Sequence, residues 1–153
     1  MLPLSDESRL LIQSYPKTSI LKLPLMSADS PAKTILIAED SSVILNLTRK
    51  ILELQKYKIV LAKNGGEVLK QLESTSVDCV LMDINIPVKD GMQCTREIRA
   101  HADPKINKLP IIAITGNANN YSMDQFREAG VTDYLPKPLD FDALVRVVKQ
   151  YVG

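Results

Sequence analysis

Val77-Asp78-Cys79-Val80-Leu81-Met82 runs almost unbroken in apolar residues and ends against a carboxylate, Asp83. Strict alternation would mark a strand with one wet face. A short continuous apolar run marks a strand buried on both faces. Such strands belong to parallel sheets, because each crossover connection lays a helix on one face or the other. Working outward, runs of the same kind recur at Thr34-Ile35-Leu36-Ile37-Ala38, Lys58-Ile59-Val60-Leu61-Ala62, Pro110-Ile111-Ile112-Ala113-Ile114 and 131–135.

Helical spacing fills the intervals. Residues 41–55 place Ile44, Leu47, Ile51 and Leu54 three or four apart, and the turn signal Asn64-Gly65-Gly66 leads into Val68, Leu69 and Leu72. A loop with Pro87 and Gly91 precedes a helix over 92–100. The helix over 122–129 stops at Gly130, a natural C-cap, and Asp140 caps a last helix with Phe141, Leu144, Val145, Val148 and Tyr151 on one face. Strands alternating with helices in this way predict an α/β, doubly wound parallel sheet. Right-handed crossovers favour the flavodoxin-like (βα)5 order 2-1-3-4-5. Residues 1–33, with Pro3, Pro16, Pro24 and Pro31 and no sustained period, read as an N-terminal extension or linker, with one short strand near Ile20 to Leu25. Residues 34–153 form the domain.

At 153 residues the chain has the size of one domain. A net charge of +1 gives no broad attraction to nucleic acid or anionic membrane. The apolar runs are far shorter than a membrane span, and Asp6 and Glu7 stand where a signal peptide carries basic residues, so the expected location is cytoplasmic. The sequons at Asn46 and Asn120 are then chance matches. Cys79 and Cys94 lack zinc spacing, and Cys79 reads as a buried reduced thiol. His101, beside Asp103-Pro104, reads as exposed and inert.

In a doubly wound sheet the chemistry gathers where strands end at their carboxyl side. Glu39 and Asp40 follow the first strand, Asp83 the third, Thr115 the fourth and Lys137 the fifth. Each alone has an ordinary reading as a cap, a turn residue or a surface cation; their common placement after the strands gives them weight together. Three carboxylates at one edge repel each other unless a cation sits among them, and oxygen-only donors favour a hard ion such as Mg²⁺. A lysine can neutralise phosphoryl oxygens, a threonine hydroxyl can hydrogen-bond to one, and the central carboxylate, Asp83, can act as nucleophile.

The segments Ile35-Leu36-Ile37-Ala38-Glu39-Asp40-Ser41, Asp83-Ile84-Asn85-Ile86-Pro87-Val88-Lys89-Asp90-Gly91, Ile114-Thr115-Gly116-Asn117-Ala118 and Asp133-Tyr134-Leu135-Pro136-Lys137-Pro138 together resemble the four ordered motifs of response-regulator receiver domains (CheY-like) of two-component signalling. The resemblance covers residues 34–152. It implies a phosphorelay function: Asp83 accepts a phosphoryl group from a histidine kinase or histidine phosphotransfer protein. It further implies Mg²⁺ held by Asp40, Asp83 and the Asn85 main-chain carbonyl, with Glu39 acting through a metal-bound water. Lys137 pairs with Asp83 or its phosphate, Thr115 follows the phosphoryl group, Tyr134 swings as the coupled aromatic, and Lys137-Pro138 is cis. Such a domain catalyses only its own phosphorylation and dephosphorylation, so it is not an enzyme acting on a separate substrate. It contacts neither nucleic acid nor membrane directly, and the face made by the fourth helix, fifth strand and fifth helix is its partner-binding and candidate dimer surface.

Glu39 stands where the family more often has Asp, which lengthens the reach but keeps the charge, and Gly116 stands where Ala is frequent. Met82-Asp83-Ile84-Asn85-Ile86-Pro87 and Thr95-Arg96-Glu97-Ile98-Arg99 resemble receivers of hybrid histidine kinases, and residues 18–25 weakly resemble the closing strand of a kinase ATP domain. A free-standing receiver and a receiver from a hybrid kinase both stay open. No helix-turn-helix follows Gly153, which disfavours direct DNA binding. Two other classes compete. An Asp-nucleophile phosphatase needs a second acid two residues after the nucleophile, where this chain has Asn85. A non-phosphorylated interaction module would have no use for the full polar set.

Overall fold

Strand β3, Cys79–Asp83, is buried at every position, as its unbroken apolar run requires. A computed structural model describes residues 31–116 and 121–153, and the fold below is that of the unit Ala32–Gly153. The expected strand near Ile20 to Leu25, most of the proposed extension and Asn117 lie outside the described residues. Around β3 are β1 (Thr34–Ala38), β2 (Lys58–Ala62), β4 (Ile111–Thr115) and β5 (Asp133–Pro136). All neighbours pair in parallel, and the order is β2-β1-β3-β4-β5, as the alternation of runs and helices predicts.

Successive residues of a strand point to opposite faces, so each strand feeds two cores. Ile35 and Ile37 of β1 join Leu81, Ile112 and Ile114 on one face; Leu36 and Ala38 join Val80, Met82 and Ile111 on the other. Helices α1 (Ser42–Leu54) and α5 (Phe141–Val152) supply Leu45, Leu52, Leu144 and Val148 to the first core. Helices α2 (Gly65–Ser74) and α3 (Gly91–Arg99) supply Val68, Leu72, Cys94 and Ile98 to the second. Helix α4 (Met123–Ala129) closes a third group with Phe126 and Ala129 against Ile84, Met92 and Ala113. Each such side chain, moved fully out of water, contributes about 1.5–3 kcal/mol.

Helix starts follow the cap chemistry. Asn64, Asp90, Ser122 and Asp140 each accept a backbone N–H from the first turn of α2, α3, α4 and α5, and Gly130 ends α4 at φ 100°.

Three features differ from the sequence expectations. In α1 the period is right, but Leu45, Thr48 and Leu52 face the sheet, while Val43, Ile44, Leu47 and Leu54 are exposed. A one-turn helix, Pro104–Asn107, appears where none is expected; Asp103 caps it and Pro104 takes its first turn, a position where the missing N–H costs nothing. His101 is not free: its Nδ1 accepts the Asp103 amide at 3.0 Å, and its Nε2 lies 3.3 Å from Glu73 Oε1. Cys79 and Cys94 are both buried and free, and burial pushes the Cys94 thiol up to about 11. No helix among the described residues is long and apolar enough to cross a membrane.

Candidate functional site

The polar residues that follow the strands come together at the carboxyl edge of the sheet. The β1 backbone continues one residue past the strand, where the Glu39 amide donates to Ala62 O at 3.0 Å; this holds Glu39 inward, 4% exposed. Its Oε1 accepts the Ser41 amide at 3.0 Å. Asp40, the next residue, is exposed at the turn into α1. Asp83 closes β3 with 2% of its surface exposed, and its Oδ1 accepts the Asn85 amide at 3.0 Å. Thr115 closes β4, buried to the same degree, and its carbonyl accepts the Lys137 amide at 2.7 Å. That bond, together with a cis Lys137-Pro138 peptide, carries the chain out of β5 beside the acids. Lys137 Nζ lies 2.9 Å from Asp83 Oδ2 and 4.0 Å from Glu39 Oε2.

Carboxylate oxygens of Glu39, Asp40 and Asp83 lie within 4.8 Å of one another. Burial pushes the Glu39 carboxyl up to about 7; the Ser41 amide and Lys137 work against that rise, and Asp83 adds to it. Buried acids repelling one another, with a single ammonium between two of them, form a site that an added cation stabilises. The donors are all oxygen, two of them on carboxylates rigidly fixed by backbone amides. This fits a hard divalent ion better than a soft one. The cluster can therefore hold a metal ion. A cavity of about 260 Å³ opens beside Glu39 and Lys137, walled by Ile37, Ile44, Leu47 and Phe141.

Glu39, Asp40, Asp83 and Lys137, selected in the sequence by strand position alone, are thus brought together, and Thr115 stands at the end of the adjoining strand. Asn85 is exposed in the loop after β3. Tyr134 is half-buried on β5, and its ring stacks parallel to that of Phe126 at 5.9 Å, while the Tyr121 ring lies tilted against Phe126 at 5.8 Å. No sequence signal pairs Phe126, which reads only as core or surface packing, with Tyr134. A Cβ on Gly116 would meet Lys137 Cδ at 3.5 Å, so alanine fits there and glycine is not required.

The chain matches the response regulator receiver domain family over residues 35–149. It is 37% identical over 120 residues to the CAI-1 autoinducer sensor kinase/phosphatase CqsS of Vibrio cholerae, an alignment covering 78% of this chain but only 17% of that protein. It is 28% identical over 121 residues to the polar-differentiation response regulator DivK of Brucella anthropi, covering 79% of this chain and 97% of DivK. Among solved structures, it resembles the receiver domain of a sensor histidine kinase from Pseudomonas aeruginosa PAO1, which holds a magnesium ion coordinated in its active site cleft. That match has 33% identity and a TM-score of 0.72, and covers 80% of this chain and 99% of that one. With the parallel β2-β1-β3-β4-β5 sheet and its acidic edge, these matches establish that the chain belongs to the response regulator receiver domain family of two-component signalling.

Proposed function

We propose that this receiver takes a phosphoryl group onto Asp83 from a phosphohistidine of a histidine kinase or histidine phosphotransfer protein. The observation that carries the reading is the pairing of the buried Asp83 carboxylate with Lys137 at 2.9 Å inside a cluster of three acids. An Asp83 oxygen attacks phosphorus in line, the phosphorus–nitrogen bond of the donor breaks, and the imidazole nitrogen keeps the bonding pair. Lys137 neutralises a phosphoryl oxygen, and the Thr115 hydroxyl donates to another. Asp40, Asp83 and the Asn85 carbonyl would hold Mg²⁺, with Glu39 acting through water; that ion supplies charge neutralisation for the incoming phosphoryl group.

Since Asp83 is itself modified, the domain catalyses its own phosphorylation and dephosphorylation and turns over no separate substrate. Contacts of the phosphoryl group with Thr115 and Lys137 bias a two-state equilibrium in which Tyr134 changes position, altering the α4–β5–α5 face toward partners, including a second copy. The cytoplasm is the compartment this reading places it in. Phosphatase chemistry on a separate substrate finds no support, because the position two residues after Asp83 is Asn85, whose amide cannot serve as general acid or base.

The test is labelling by a phosphohistidine donor or by acetyl phosphate with Mg²⁺. Wild type takes up label and Asp83→Asn falls to background. Full labelling of Asp83→Asn would refute the assignment.

A further inference from the structure

The doublet Gly65-Gly66 fits no nucleotide-binding pattern, and the site described above leaves it without a task. The structure separates the two residues. The Gly65 amide donates to Pro87 O at 3.0 Å. A Cβ placed on Gly65 would lie 2.4 Å from the backbone oxygen of Lys89, 2.7 Å from Cys94 Sγ and 2.8 Å from Lys89 Cβ. Only a residue without a side chain lets the first turn of α2 approach the loop after β3 so closely. Gly66 is less crowded: a Cβ there would press on the Asn64 side-chain oxygen at 3.2 Å, which must give by a few tenths of an ångström, and would touch Val88 Cγ1 at an ordinary 3.6 Å, with no backbone atom in the way.

The loop held this way carries Asp83 and Asn85 into α3, and it contains a backbone it would not choose alone. Val88 sits at φ 73°, a left-handed conformation that β-branched residues avoid, with its side chain 78% exposed, so little packing compensates. Such a residue persists where its neighbours over-determine it. Here they hold it from both sides. Gly65 fixes the Pro87 carbonyl; Lys89 is pinned through its own backbone against Gly65 and through Nζ to Glu97 Oε2 on α3 at 2.8 Å. At the end of the loop, the Gly91 amide returns to Ile84 O at 2.8 Å, and a Cβ on Gly91 would lie 2.7 Å from Asp83 O. The turn after Asp83 is therefore closed by its own bonds and braced at residues 87–89 from α2.

We propose that Gly65 is a positioning residue for phosphoryl transfer: the first turn of α2 braces residues 87–89 and so sets the Asp83–Asn85 turn at the phosphoacceptor. The inference rests on the reading of Asp83 as phosphoacceptor. It assigns a role in the reaction to a glycine that touches neither phosphate nor metal.

The test uses the full chain as wild type, Gly65→Ala, Gly66→Ala, and Gly65→Ala combined with Cys94→Ala. MgCl₂ affinity is measured by calorimetry and acetyl phosphate labelling by rate. Relieving the 2.4 Å contact moves the Lys89 carbonyl by roughly 1 Å, and misplacements of that size cost about 10²-fold in well-positioned sites. Gly65→Ala is expected to lose at least about tenfold in both Mg²⁺ affinity and labelling rate, with Gly66→Ala staying close to wild type. Gly65→Ala indistinguishable from wild type in both readouts would overturn the inference. So would recovery of both by Cys94→Ala, which would place the effect in the core contact rather than the loop. If Gly65→Ala does not fold, Lys89→Met removes the second anchor, and unchanged Mg²⁺ affinity in that variant overturns the inference equally. Wild-type protein that takes no label would sink the phosphoacceptor reading and this inference together.

Discussion

The two ends of the sheet use aspartate in opposite ways. At the amino edge, Asp78 forms a closed pair with Thr34: its Oδ2 accepts the Thr34 amide at 2.8 Å, and its own amide donates to Thr34 O at 2.8 Å. Asp103, near the same edge, accepts the Lys105 amide at 2.9 Å. At the carboxyl edge, Asp83, Glu39 and Asp40 face one another across 4.8 Å or less, and one lysine offsets part of their charge. The groove at the amino edge is the larger, about 480 Å³ against 260 Å³, yet among the described residues it is the carboxyl edge that gathers three acids within 4.8 Å of one another. Carboxylates held against each other's field are therefore the better candidates for chemistry than the larger cavity.

The sharpest way to break this comparison is to make the same change at both ends. Asp83→Asn should reduce labelling to background, whereas Asp78→Asn should leave the rate within about twofold, since only a half-buried backbone contact changes. Equal losses at the two positions would erase the distinction. Lys137→Ala comes next. Deleting a partner of a charge-assisted bond at a partly buried site costs about 1.5–3 kcal/mol, so labelling should slow by roughly 10- to 100-fold. The fold should persist, because the Thr115–Lys137 main-chain bond does not depend on the side chain. Phosphorylation should then no longer raise partner affinity, and wild-type behaviour in that binding assay would require a different switch.

Much of this contrast is legible in the sequence, and the illegible parts share a cause. The runs at 34–38 and 79–83 announce buried parallel strands because they are apolar on both faces, and strand ends then select Glu39, Asp40, Asp83, Thr115 and Lys137 without any distance being known. In α1, two lines compete at helical spacing: Ile44, Leu47, Ile51 and Leu54, or Leu45, Thr48 and Leu52. The first is the more apolar, but the sheet takes the second, burying Leu45, Thr48 and Leu52. His101 looks solitary until the one-turn helix brings the Asp103 amide onto its ring. Gly65 looks like turn punctuation because what excludes a side chain there is a backbone oxygen on another loop. The Phe126–Tyr134 stack likewise exists only after α4 docks on β5. Period and topology are written locally; phase and close approach are set by the packed whole.

Glu39 gives the comparison a pH axis. Its carboxyl is raised from 4.5 to about 7, first by burial and then by Asp83, with the Ser41 amide and Lys137 opposing. A folded-state value above the unfolded one means that the group favours folding at pH below about 4.5, and that this contribution is lost as pH rises toward 7. A bound divalent ion favours the charged form, so Mg²⁺ should stabilise the domain more at pH 8 than at pH 6 and should release protons on binding at the lower pH. Titration in two buffers of different ionisation enthalpy, beside melting curves with and without MgCl₂, reads both effects; EDTA should remove them. Equal Mg²⁺ affinity at pH 6 and 8 would take Glu39 out of the metal's surroundings.

The smallest effect belongs to that amino edge. Asp78→Ala removes the acceptor of the Thr34 amide at the entry to β1, while the main-chain bond from the Asp78 amide to Thr34 O remains. A half-buried hydrogen bond to a charged acceptor with water nearby is worth about 1–2 kcal/mol, which lowers the melting midpoint of a domain this size by about 3–6 °C. Labelling and Mg²⁺ affinity should not move, because β1 stays paired along its length with both β2 and β3. If Asp78→Ala weakened Mg²⁺ binding by tenfold, the sheet would be transmitting a register change from one edge to the other. The two ends would then be one coupled system rather than a structural end and a chemical end.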